Sequence, residues 1–503
     1  MKMKKLTAIS IFLLSLMQFS CDDDFLVTTD PTRVGSELFY KDQKQVEQAL
    51  NGVYGQLQGI TNTAYIFQEF TSDNTTLDFN PVDRGGAAGW EAFEFSTVNS
   101  GNGEISNLWN NYYSALYNIN FALEKLSGST TIDDAAKAPL EGQLKFMRAY
   151  YYFNLVQYFG DVVLVTTTLS KPDAAFALLR SPQAEVEAQI EKDLKEAIAG
   201  LPDKYNAANA GRVTKGAALS LLGKFYLTQK KYAEAVTTLK QVLPLGYALN
   251  LNYADNFDPA KKNGVESIFE VQYQGGNDLG EQSNFMYVFA PRLSGGSITG
   301  FANVTPSGRN IPTRDLIAAY ETGDVRKDIS LKEGYTNAKG EWVPTPFVNK
   351  YRHAHTLSGR TDNNWPILRF ADVLLMLAEA LNEQSGPTEE AHGYLNQVRS
   401  RAKLPEVRGL DKNIFRQKVL QERRVELAFE NHRWFDLKRT KTPAELAQFM
   451  NAYAAKEKAN PTVDRGGVIY STLDYVYEPH EHVFPIPAPQ ILINEKLSQN
   501  QGY

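Results

Sequence analysis

Gln421 to Arg439 reads QERRVELAFENHRWFDLKR, and its interpretation decides the fold. At helical spacing Val419 and Leu420, just before it, join Leu427, Ala428, Phe429, Trp434, Phe435 and Leu437 to supply an apolar side. Glu422, Glu426 and Glu430 recur every four residues and so share a stripe. Like charges in line weaken an exposed helix by roughly a few tenths of a kcal/mol per pair, so cations are expected among them. Arg423, Arg424, Arg433, Lys438 and Arg439 are at hand. The stretch is predicted to be a packed helix held by charge pairs.

The same residues, ERRVELAFENHRWFDLKR, resemble the most characteristic segment of the SusD/RagB family, the cell-surface nutrient-binding lipoproteins of Bacteroidetes. Other segments agree: WPILRFADVLLMLAEALNE (Trp365–Glu383), LNQVRSRAKLP (Leu395–Pro405) and the ending FPIPAPQILINEKLSQNQGY (Phe484–Tyr503). Upstream, EGQLKFMRAYYYFNLVQYFGDVVLV (Glu141–Val165) and GRVTKGAALSLLGKFYL (Gly211–Leu227) also look like that family. The resemblance covers the mature chain end to end and is silent about the ligand. It implies a mostly α fold: a tetratricopeptide-like helical-hairpin scaffold with irregular loop-rich insertions that carry the ligand site.

The residues themselves point the same way. Between Gly211 and Tyr247, Leu222, Gly223 and Tyr226, then Ala235 and Leu239, match the spacing of a helical-hairpin repeat of roughly 34 residues. Ile367–Glu383 followed by Glu389–Arg401 matches it more weakly. Helices are also predicted over Lys41–Leu57, Glu104–Leu126, Lys137–Phe159 and Pro182–Ala199, the last opened by Ser181 as cap and Pro182 in the first turn. Trp109, mid-helix in LWNNYYSALYNIN, reads as core. Thr61–Asn102 and Leu245–Trp365 are rich in Gly, Asn, Thr, Ser and aromatics without sustained helical period, and read as loops and short strands over the scaffold. The expected division is a signal peptide at 1–20, a lipidated tether at 21–36 and one domain at 37–503. Its scaffold spans about 37–60, 104–245 and 366–440, and its ligand-binding loops about 61–103 and 246–365.

At 503 residues and 43% hydrophobic the chain can bury a large core. Its net charge is −6 with the basic residues dispersed, which argues against nucleic acid. The single cysteine, Cys21, excludes an intrachain disulfide. Lys2, Lys4 and Lys5 form a basic n-region, and Leu6–Phe19 is an apolar run too short to span a membrane. Ser20-Cys21 followed by Asp22-Asp23-Asp24 resembles a bacterial lipoprotein signal with an acidic export tag for the outer face of the outer membrane. Gln18 and Phe19 depart from its usual small-residue pattern. The resemblance implies lipidation of Cys21, including palmitate-like acyl chains, and several chains anchor stably where one does not.

No catalytic signature is present: no HExxH, GxSxG, phosphate loop or GxGxxG. The pairs His353/His355 and His480/His482 lack a third metal ligand at suitable spacing. Glu422 and Glu426 could reach the separation that glycoside hydrolysis needs. Neighbouring arginines would lower their pKa values, the opposite of what a general acid requires. Arg369, Glu379, Arg399 and Arg401 receive the same structural reading. No cofactor is expected, and the sequence leaves open whether a calcium ion orders a loop.

Aromatics beside polar groups in the loop segments suggest sugar binding, since a sugar ring lays its C–H bonds on an aromatic face and needs Asp, Asn, Gln or Arg at its edges. Phe70–Phe95 supplies both kinds, with Asp73 and Asn74 at a recurrent family position and Trp90 downstream. Asn284–Phe301 adds Tyr287, Phe289, Arg292 and Phe301, and Trp342 stands apart. The resemblance implies an oligosaccharide-capturing surface lipoprotein, not an enzyme, working as a lid on a SusC-like TonB-dependent outer-membrane transporter. Two rival readings are a RagB-like oligopeptide binder of the same fold and a surface hydrolase.

Overall fold

The computed structural model describes residues 40–78, 84–169 and 172–503. The signal run, Cys21 and the tether at 21–36 lie outside them.

Twelve longer helices form the framework of the described residues: α1 (Gln43–Gln68), α2 (Arg84–Phe95), α3 (Gly103–Gly128), α4 (Asp134–Phe159), α5 (Gln183–Gly200), α6 (Lys215–Thr228), α7 (Tyr232–Lys240), α8 (Phe370–Ser385), α9 (Glu389–Arg401), α10 (Lys412–Glu426), α11 (Arg433–Thr440) and α12 (Pro443–Ala459). The chain is mostly helical, as its periodicity predicts. Several starts carry side-chain caps: Asp42, Asn102, Asp133, Thr214, Thr388 and Asp411 each accept from a first-turn backbone N–H. Ser181 is not such a cap. It bridges to Val162, Pro182 occupies the cap position without a side-chain bond, and Asp161 accepts the Gln183 N–H at 2.8 Å instead.

Neighbours in sequence stack in space: α3 on α4, α4 on α5, α5 on α6, α6 on α7, α7 on α8, and α8 on both α9 and α10. Two helical hairpins, α6/α7 and α8/α9, stand where the repeat spacing places them. Gly223 shows why a small residue is needed there: a Cβ at this position would lie 2.3 Å from Leu239 Cδ2. One continuous hydrophobic core runs through the stack, with Trp109 within it at 4% exposure.

Three expectations are corrected. Helix α1 continues eleven residues past Leu57 to Gln68, because Ile60, Tyr65, Ile66 and Phe67 extend its buried face into the segment read as loop. Ile367–Arg369, read as the start of a helix, belongs instead to a strand, Trp365–Arg369, paired antiparallel with Ser267–Val271. Gln421–Arg439 is two helices. The backbone turns left-handed at Phe429 (φ 64) and Asn431 (φ 65), which ends α10 and restarts the chain as α11.

The strands are short: β1 (Thr75–Thr76), β2 (Ser267–Val271), β3 (Ile311–Pro312), β4 (Leu331–Lys332), β5 (Tyr335–Thr336), β6 (Trp342–Val343), β7 (Phe347–Val348) and β8 (Trp365–Arg369). They pair antiparallel as β1–β3, β2–β8, β4–β7 and β5–β6.

A buried ionic network bolts these loops to the scaffold. Arg369 at the end of β8 meets Glu266 at 2.6 Å, Glu426 at 2.9 Å and Glu430 at 2.8 Å. Arg326 joins Glu422 and Glu426 to the 321–330 loop, Arg401 joins Glu266 and Glu426, and Lys350 reaches Glu430. Burial pushes the Glu426 carboxyl up, but the guanidiniums of Arg401, Arg369 and Arg326 outweigh it and hold the group well below the usual carboxylate range. The glutamate stripe is therefore matched by cations, though from distant segments. Its own neighbours turn elsewhere, Arg423 to Asp372 and Asp436, Arg439 to Glu379 and Asp436.

Candidate functional site

Asp73 and Asn74 do not face a ligand. Both are 1% exposed, just ahead of β1. Asp73 takes Arg433 at 2.7 Å and Arg424 at 2.9 Å, and Asn74 Oδ1 accepts from Arg424 Nε at 2.8 Å. Burial raises the Asp73 carboxyl, and the two guanidiniums outweigh that and hold it well below its usual range. The pair is a staple between the β1 segment and α10/α11.

Beyond that staple the chain assembles a loop face. Strand β1 pairs with β3, and the two loops flanking them are drawn together by backbone bonds. Asp78 N–H donates to the Gly308 carbonyl at 2.7 Å; Gly308 and Arg309 N–H donate to Ala290 and Val288 at 2.9 and 3.0 Å. Gly308 must be glycine here, since its φ is +64 and a Cβ would lie 2.5 Å from Asp78 Cβ. The Asp78 carboxylate accepts the Arg292 backbone N–H at 3.0 Å.

On this frame sit the aromatic candidates. Trp90, half-buried on α2, donates its indole N–H to Glu104 at 2.9 Å. The Arg309 guanidinium lies 3.3 Å from the centroid of its ring and donates to the Tyr65 hydroxyl at 2.8 Å. One face of the indole is thus occupied by a cation. Tyr287 is buried and its hydroxyl lies 2.5 Å from His355 Nε2. His355 Nδ1 is bonded to the His353 carbonyl, which can only accept, so Nε2 takes the Tyr287 proton. The Phe301 ring packs at 5.0 Å on the His355 ring. Phe289, by contrast, is fully buried core.

Trp342 is 62% exposed on the β5–β6 hairpin. It lies over Gly334, where a Cβ would be 2.4 Å from its ring. Tyr335 on the same hairpin packs with Ala290, Ile298 and Phe347, which fixes the hairpin to the loop bearing Arg292. The structure therefore places Trp90, Arg292 and Phe301 on connected loops, with Tyr287 buried among them and Trp342 on the attached hairpin. No cluster of three or more His, Cys, Asp or Glu suited to a metal occurs among the described residues. His480 packs on Tyr503, and His482 bonds the Pro479 carbonyl within a short turn.

Sequence comparison decides the family. A model described as the SusD family matches residues 321–503, and one described as starch-binding associating with outer membrane matches residues 24–227. The chain belongs to the SusD/RagB family. Among relatives of this SusD-family chain, SusD-like protein P2 of Formosa agariphila is 25% identical over 543 residues, covering 100% of both chains. The starch-binding protein SusD of Bacteroides thetaiotaomicron is 24% identical over 450 residues, 76% of each. A solved laminarin-binding SusD-like protein is 27% identical, with a TM-score of 0.75 over 92% of this chain and 100% of that one.

Sequence reasoning about this SusD-family chain did not single out Asp78 or Arg309, and weighed His355 only as a metal ligand. Arg309 lies 219 positions from Trp90 in the chain, and only the tertiary fold stacks them. Nothing local marks such a pair.

Proposed function

We propose that the protein is a surface lipoprotein, anchored in the outer membrane through Cys21, that captures an oligosaccharide and delivers it to a SusC-like TonB-dependent transporter. The observation that carries this reading is the loop face on which Trp90, Phe301 and Trp342 stand, with the buried Tyr287 holding His355 beneath Phe301 and Arg and Asp side chains beside them. Planar rings edged by hydrogen-bonding groups are what a sugar ring needs. Likeness to a laminarin-binding SusD-like protein and to the starch-binding protein SusD supports it. A tethered, multi-contact site raises the effective ligand concentration at the transporter mouth.

A binding role without hydrolysis follows from where the carboxylates are. Glu422 and Glu426, the pair with suitable spacing, are buried and committed to arginines.

The test titrates the purified full-length protein against oligosaccharides and oligopeptides, then assays the same samples for cleaved product. Glycan binding without cleavage, weakened by Trp90→Ala with the fold kept, is expected. Binding of peptides alone would move the chain to the RagB-like reading, and cleaved glycan would overturn the non-enzymatic one. Enrichment of a TonB-dependent barrel with the protein from outer membranes tests the partner.

A further inference from the structure

Many scaffold arginines are matched with carboxylates, as in Arg148 with Asp193 and Arg416 with Glu383, and the half-buried Arg180 and Arg212 are satisfied instead by several carbonyl and amide oxygens. Arg292, Arg309 and Arg352 have no carboxylate within ion-pairing distance among the described residues.

Arg292 is half-buried, its Nε is buried without a hydrogen-bond partner, and its guanidinium bonds to no other described residue. The carboxylate beside it, Asp78, is taken by the Arg292 backbone N–H rather than by the side chain. Arg309 is spread on the Trp90 ring, uses Nη1 for the Tyr65 hydroxyl, and also leaves Nε unpartnered. Arg352 makes a long 3.4 Å bond from Nε to the Ile298 carbonyl, three residues from Phe301. Asp78 and Glu104 stand on the same surface, the latter accepting the Trp90 N–H, and Glu333 and Glu341 flank Gly334 and Trp342 on the attached hairpin. Arg352 is exposed, whereas Arg292 and Arg309 are half-buried with no ion pair; such a guanidinium is incompletely satisfied, and its planar fork suits a carboxylate or sulfate.

We propose that the oligosaccharide taken by this face is anionic, its carboxylate or sulfate groups meeting Arg292, Arg309 and Arg352 while its rings lie on the neighbouring aromatics. The inference rests on the glycan-capture reading and narrows it to charged glycans.

The test uses the full-length protein and two matched probe pairs. One is oligogalacturonate with its carboxyl-reduced form; the other is a sulfated galactan oligosaccharide with its desulfated form. Calorimetric titration is expected to show the charged member of at least one pair binding about tenfold or more tighter, an advantage that shrinks as salt rises. Whichever pair shows it separates carboxylate from sulfate. Arg292→Gln should erase most of the advantage and Arg292→Lys retain part of it. Both variants should keep the parent urea midpoint, because the guanidinium holds nothing in place. Neutral members binding as well as or better than charged ones would overturn the charge inference and leave glycan capture standing. All four probes failing while oligopeptides bind would overturn both.

Discussion

Replacing Arg369 with methionine removes a 2%-exposed cation that three buried glutamates share. Methionine fills much of the volume, so the loss is chiefly electrostatic. Glu266 and Glu426 keep Arg401, and Glu430 keeps Lys350, so no carboxylate is left without any partner. Breaking a buried pair by deleting one member costs about 3–5 kcal/mol, and the remaining cations place this substitution toward the lower end. With a urea dependence of roughly 3 kcal/mol per M for a chain of this size, the midpoint should fall by on the order of 1 M. Arg408→Met is the control: Arg408 meets Glu406 on the surface, with side chains 79% and 47% exposed. Such pairs contribute about 1 kcal/mol or less. Equilibrium urea unfolding of both variants by tryptophan fluorescence decides the matter. Equal midpoint shifts would refute the argument that the network bolts the loops to the scaffold.

Four further outcomes are expected. Asp73→Asn should cost about 3–5 kcal/mol in urea unfolding by stranding Arg433, while refolded protein keeps its glycan affinity; a selective loss of affinity would restore Asp73 as a contact. Trp90→Ala should weaken binding by on the order of 2 kcal/mol, about thirtyfold, in the same titration, and unchanged affinity would remove the indole from the site. Gly223→Ala should destabilise by about 1–3 kcal/mol in urea unfolding through the clash with Leu239, and a neutral effect would mean that α6 and α7 separate freely. Glu94, on the helix that carries Trp90, is raised to about 8 by burial, against hydrogen bonds from Thr76, Tyr475 and the Leu77 N–H. A carboxyl raised on folding stabilises below its unfolded pKa, and that contribution is lost as pH rises toward the folded value. The urea midpoint should therefore drop between about pH 4.5 and 8 and drop less in Glu94→Gln; parallel profiles would refute it.

The scaffold was legible because its signals are local. Helical period, caps at Asp42, Asn102 and Thr214, and the small residue at Gly223 each act within one element or one hairpin. The residues ERRVELAFENHRWFDLKR, with the segments that agree with them along the chain, carried the family. What misled was also local. The turn at Phe429 and Asn431 breaks an otherwise helical pattern because buried partners hold it: the Phe429 carbonyl accepts from Tyr351, and the Asn431 N–H donates to Glu69.

The site divides along the same line. Composition put aromatics and polar groups into the insertions, so Trp90, Tyr287, Arg292, Phe301 and Trp342 could be singled out as types within those segments. Asp73 and Asn74 look identical in sequence to exposed ligand contacts, and only Arg424 and Arg433, 351 and 360 positions away, turn them into a staple. The pairing of Arg309 with Trp90 and of Tyr287 with His355 is likewise a product of chain crossing. Sequence alone determined what is encoded by spacing within a helix or hairpin. Tertiary structure decided which charges find partners, because burial and long-range proximity have no local signature.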